Sequence, residues 1–139
     1  MPVNTPSAAY LRFAPKWKRL RDCSGGRDAI LAAGKEYVPD LPGADKSAND
    51  AMRLRGNFYN VVNRTVFGLV GMLFQKPALI KFPKRIEDLL KDITFTSVSL
   101  EMFSFTSAIE TFLTGRYGVL VDMPKDTPRP YLVGYTAEC

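Results

Sequence analysis

No histidine occurs among the 139 residues. That excludes Ser-His-Asp and Cys-His nucleophile systems, HExxH zinc sites and His-ligated iron, and with them most familiar hydrolase chemistry. Cysteine is nearly as scarce. Cys23 and Cys139 form no CxxC pair, so neither a zinc ribbon nor a disulfide framework can be drawn, and a reducing compartment is the natural reading. No apolar run approaches the ~20 residues needed to span a bilayer, and the longest, Val66 to Phe74, reads as a core segment. The opening MPVNTPSAAYLRF lacks a basic leader, an apolar stretch and a small-residue cleavage site, so secretion finds no support and Asn63-Arg64-Thr65 reads as a chance sequon. A GxxxxGK[ST] phosphate loop is also missing. The run Val119-Leu120-Val121-Asp122 therefore has no partner for nucleotide chemistry, and Asp122 reads as a turn initiator ahead of Pro124.

What is present suits one globular domain: 46% hydrophobic residues, 12% aromatic and 24% charged, with a net charge of +5. The positive excess lies wholly within residues 1–35, where Arg12, Lys16, Lys18, Arg19, Arg21, Arg27 and Lys35 face only Asp22 and Asp28. Tyr10, Phe13 and Trp17 interleave with these bases, as on a surface that stacks on nucleobases while contacting phosphates. The plainer account, preferred here, is an amphipathic helix from Pro15 with Trp17, Leu20 and Cys23 on its packed face and the charges in solvent.

Periodicity predicts an α+β fold, mostly helical, with a long central helix and a C-terminal β-hairpin. A short helix is expected over Arg27 to Ala33 with Gly34 at its C-cap, followed by a Pro/Gly-rich internal linker within residues 35–48. The long helix is expected to begin after Ser47 or Asn49 and to run to about Gln75, before Pro77. Its second half, from Val66, is apolar all round and asks to be enclosed by its own core or by a neighbouring subunit. Gly68 and Gly71 cost roughly 1 kcal/mol each against Ala there, which the close approach of another helix would justify. Pro83 opens a shorter helix, KRIEDLLKDI. Ser99 caps a further one that ends at Gly115. Tyr117 to Asp122 and Tyr131 to Tyr135 read as the two strands of a hairpin with a long turn.

No catalytic constellation emerges, and no cofactor or metal is called for. Glu87, Asp88 and Asp92 read as a solvated helix face. Glu101 suits a helix first turn, and Glu110 has Arg116 and Arg64 as candidate structural partners. Cys23 has basic neighbours but neither a base nor a resolving thiol, and reads as an ordinary buried thiol.

Three blocks carry a family resemblance. The first, RLRGNFYNVVNRTVFGLVGMLFQKP, contains Phe58, Asn60, Arg64, Thr65, Val66, Gly68, Leu69, Gly71, Phe74, Lys76 and Pro77. The second is TGRYGVLVDMPKDTPRPYLVGYTAE, and the third, weaker, is Trp17 to Asp22 followed by Gly26, Tyr37 and Pro39. In this order they resemble a portal-like family of the tailed phages, long catalogued as a domain of unknown function. The DLPGADKSAND region departs from it, lacking the longer acidic, helical approach expected before the long helix. Family members are several times longer, so the resemblance implies that residues 1–139 are the N-terminal, wing part of a longer portal chain.

The resemblance further implies a structural subunit, not an enzyme, of a homo-oligomeric ring, a dodecamer, at one capsid vertex of the virion, assembled in the host cytoplasm. DNA is packaged and ejected through such a ring, which contacts capsid protein and on which terminase and the tail adaptor dock. The subunit-interface candidates are Val66, Phe67, Gly68, Val70, Gly71 and Phe74. The alternative function is a small basic nucleic-acid-binding or adaptor module that uses Arg12, Lys16, Trp17, Lys18, Arg19 and Arg21.

Overall fold

The computed structural model describes residues 5–139 and, of Arg85, the backbone alone. Met1–Asn4, the head of the segment read as lacking a leader, lie outside the described residues. The fold is α+β: helices α1 (Ala8–Gly25), α2 (Arg27–Ala33), α3 (Lys46–Arg55), α4 (Val61–Leu73), α5 (Glu87–Lys91) and α6 (Leu100–Thr114), then strands β1 (Gly118–Asp122) and β2 (Tyr131–Tyr135). Two compact units divide the chain between Thr65 and Val66.

In the first unit, α1 starts earlier than its proline suggests. Ser7 caps it, its hydroxyl accepting from the Tyr10 amide at 3.1 Å, and Pro15 sits inside the helix. Proline there removes one backbone donor, but the turns on either side of it are tied by aromatic packing. The Trp17 ring meets Tyr10 edge-on at 5.7 Å and stacks on Phe13 at 5.9 Å. Trp17 is 4% exposed and forms the core here with Ile30 of α2. Gly26 and Gly34 hold φ of 88° and 58°, a region costly for other residues, and so let the chain leave α1 and α2. Residues 38–45 are strapped to α3. Asn49, 4% exposed, accepts from the Leu41 amide at 2.8 Å and donates to the carbonyls of Ala44 and Asp45. Arg53 donates to the Val38 carbonyl at 3.2 Å and pairs with Asp40 and Asp50.

The long central helix is two helices. Asp45, not Ser47 or Asn49, caps α3 through the Ala48 amide at 2.7 Å. Gly56 then turns extended, its N–H closing on the carbonyls of Met52 and Arg53, and residues 56–60 carry no helix. The Arg27 guanidinium donates to the Leu54 carbonyl at 2.5 Å and to Gly56 at 3.4 Å, satisfying the end of α3. Asn60 restarts the helix. Its side-chain oxygen accepts from the Asn63 amide at 2.9 Å while its amide nitrogen donates to the Ser24 carbonyl at 3.0 Å.

In the second unit α6 has the expected ends: the Ser99 hydroxyl accepts from the Met102 amide at 3.2 Å, and Gly115 closes it in the left-handed region at φ 81°. The shorter helix after Pro83 opens as a 3-10 turn, Lys84–Ile86, and continues as α5. The hairpin pairs β1 and β2 antiparallel, from Gly118 opposite Tyr135 to Asp122 opposite Tyr131. Between α5 and α6 a tight loop places Phe95 and Ser97 at positive φ, 63° and 61°. Asp92 holds it by accepting from the Ser97 amide at 2.9 Å, and Ile93 bonds both Val98 and Leu132, so that it lies along the outer side of β2.

Candidate functional site

Helix α4 presents two faces of different character. Val66 and Val70, one turn apart, are buried, Val70 at 0% exposure, and Phe74 follows on the same side with its ring edge-on to Phe105 at 5.3 Å. Val66 and Val70 are therefore taken up by the chain's own packing, and Phe74, half-buried, partly so. Phe67, Gly68 and Gly71 are exposed, together with Leu69, Met72 and Leu73. A Cβ built on Gly68 or Gly71 would meet nothing within 4 Å. Among the described residues no close approach accounts for either glycine, although each costs roughly 1 kcal/mol of helix propensity in a helix interior.

The basic arm is divided differently from its sequence pattern. Trp17 lies inside the aromatic cluster and offers no face to a nucleobase. Lys18 is held between Asp22 at 3.0 Å and Glu36 at 2.9 Å and lies over the Tyr37 ring. Hydrogen bonds to Glu36 and Asp22 raise its pKa. Tyr37 donates to Asp22 at 2.7 Å, and this bond, with that from Lys18, holds the Asp22 carboxyl below its ordinary value of 3.8. Arg12 and Lys16 flank the Phe13 ring at 5.5 and 5.4 Å, exposed like Arg19. Arg21 is half-buried. This face carries a local ion-pair cluster on Lys18, with Arg12, Lys16 and Arg19 exposed around it.

Much of what marks the sequence motifs ties the fold to itself. In the third block Asp22 and Tyr37 meet through the bond just described. In the first, Asn60 is the cap of α4, and Arg64 donates to the Tyr59 hydroxyl at 2.6 Å. In the second, the Arg116 guanidinium reaches the Ala137 carbonyl at 2.6 Å, joining its Gly-Arg and Ala-Glu ends. Tyr131 donates to Asp122 at 3.3 Å, and burial followed by the Asp122 charge raises the Tyr131 pKa.

Arg129 and Asp92 were missed as a pair. Arg129 donates to Asp92 at 2.8 Å and lies 4.2 Å over the Phe95 ring, a stack that offsets the lack of a hydrogen-bond partner for its buried Nη1. Asp92, expected on a solvated helix face, instead organises the loop after α5. The 37-residue separation between the two left no local signal for the pair.

Beside them lies an apolar groove of about 220 Å³ whose walls include Phe82, Ile86, Leu90, Ile93, Val121 and Leu132. It has no convergent acid, base or donor set of the kind substrate chemistry needs. Among the described residues no group of three metal-ligating side chains forms, and no helix is long and apolar enough to cross a membrane. Neither a protein-family model nor a curated protein matches the chain.

Proposed function

We propose that this chain is a ring-forming structural subunit of the phage-portal type, contributing the wing part of a conduit for DNA packaging and ejection. Its work in that role is mechanical and electrostatic. The observation that carries the reading is the exposed face of α4. Phe67, Met72, Gly68 and Gly71 leave an apolar surface with two helix-weakening glycines open to solvent, on the helix that holds the first motif block. A second backbone seated there would explain glycine, which permits close approach. Capsid protein, terminase and tail adaptor are the partners such a ring would contact, at the virion's portal vertex. The three sequence blocks in the portal order support the same reading.

The test is light scattering on the purified full parent chain, of which this reading makes residues 1–139 the wing part, beside its Phe67→Asp and Gly71→Leu variants, with circular dichroism to check folding. The reading expects one high-mass closed species that both substitutions reduce while helix content is kept. A natural chain that stays monomeric across the micromolar range, or variants of unchanged mass, would overturn it. The basic-module reading would instead show a monomer whose DNA binding weakens steeply with salt.

A further inference from the structure

Strand β1 has the chemistry of an inner strand and the position of an edge. Val119, Leu120 and Val121 are all exposed, on alternating faces, and a run apolar on both faces is the mark of a strand covered on both. The Leu132 amide donates outward to Ile93, so Leu132 and Val121 form a non-hydrogen-bonded pair. The N–H and C=O of Val121, and of Val119 two residues earlier, therefore point away from β2 along an open edge. No lysine, proline or charge interrupts residues 118–121, the usual means of blunting such an edge.

The same unit holds a segment, residues 77–82, outside any helix or strand and with the complementary deficit. Among the described residues, none hydrogen-bonds the main chain of 77–82. Its side chains are exposed, Leu79 at 91%. The segment is flanked in its own unit by Phe74, whose ring packs on Phe105, and by Phe82, a part-exposed wall of the apolar groove that Val121 also lines. An edge and a free strand at different places on one chain make a heterologous contact, the kind that closes rings.

We propose that residues 77–81 of one copy add as a parallel third strand to β1 of the next copy. This rests on the ring reading and names a contact within it. In that register Ala78 lies opposite Val119 and Ile80 opposite Val121, over the apolar groove. Leu79 covers Leu120 on the other face, and Lys81 comes beside Asp122, the strand's one charge. The main chain then matches fully: the amides of Val119 and Val121 donate to the carbonyls of Pro77 and Leu79, and their carbonyls accept from Leu79 and Lys81. Pro77 contributes only a carbonyl, so its missing N–H costs nothing.

The experiment co-expresses two chains in a Cys23→Ser, Cys139→Ser background, one carrying Leu79→Cys and the other Leu120→Cys. Gentle oxidation and non-reducing electrophoresis follow, with light scattering on the same samples. The proposal expects a disulfide-linked pair of unlike chains, absent when either is made alone. Adding Val121→Pro to the Leu120→Cys chain should abolish the link with the hairpin intact, since that N–H faces away from β2. High-mass assemblies without the link would overturn this contact and leave the ring reading standing. Monomers without the link would overturn both. A further sample, one chain carrying both cysteines, that links within itself while the unlike chains stay unlinked would overturn exchange between copies and show the segment closing on its own β1.

Discussion

Gly68→Ala and Gly71→Ala should make the isolated chain more stable and its assembly weaker. Added methyl groups meet nothing within 4 Å at either position, so no clash opposes the gain in helix propensity. Gly68 lies in the interior of the 13-residue α4, where the exchange is worth about 1 kcal/mol. Gly71 lies in the last turn, where fraying reduces the benefit to roughly half of that. For a chain of this size 1 kcal/mol corresponds to about 2–4 °C in melting midpoint. Thermal melts of dissociated chain, followed by circular dichroism, give the first half of the test, and light scattering at matched concentrations gives the second. A lower midpoint for Gly68→Ala would mean that something in the chain packs on that glycine, refuting the open-face argument. A raised midpoint with unaltered assembly would refute the idea that a neighbouring backbone is the reason for the glycines.

Other consequences follow from single contacts. A Cβ at Gly134 would fall 1.7 Å from the Tyr117 hydroxyl and 2.6 Å from its ring carbon, so Gly134→Ala should cost about 1–3 kcal/mol in urea unfolding. The cost should shrink to within about 0.5 kcal/mol in a Tyr117→Ala background, where the obstruction is gone. Val70→Ala should cost about 2 kcal/mol by cavity formation, against little for Met72→Ala two residues on, and equal costs would contradict the two-faced reading of α4. Asn49→Ala strands the Leu41 amide and should cost about 1–3 kcal/mol, with faster hydrogen exchange at Leu41 as its local signature. Asp40 is held below 3.8 by Lys35 and then Arg53, and Asp22 by Tyr37 and then Lys18. Both carboxylates therefore contribute stability above the ordinary carboxylate range that is lost as pH falls through their lowered values. Melts between about pH 5 and about pH 2 should decline less steeply for Asp22→Asn with Asp40→Asn, and an unchanged slope would contradict these pairings.

Where local chemistry determined an element, the sequence was enough. Ser99 and Gly115 bracket α6 because a hydroxyl cap and a left-handed glycine satisfy the helix ends without tertiary help. The two strands announced themselves by a change of period. The break in the central helix did not, because Met52, Phe58, Val62 and Val66 keep apolar spacing across Gly56 to Asn60. What stops the helix is the Arg27 guanidinium on the carbonyls of Leu54 and Gly56, which arrives from another helix. Pro15 misled in the opposite direction, since proline favours a first turn but here lies within a helix capped at Ser7 and clustered about Trp17. The candidate interface was legible as a helix too apolar for a lone surface. Which of its residues face inward was not, because Val66, Val70 and Phe74 differ from Phe67 and Met72 only in the direction their positions point.

Negative-stain imaging of the assembled protein, with class averaging scored for rotational symmetry, bears most directly on the ring proposal. Closed rings that open or shrink in Phe67→Asp are the predicted result. Featureless monomers or two-fold dimers from the natural chain would contradict it.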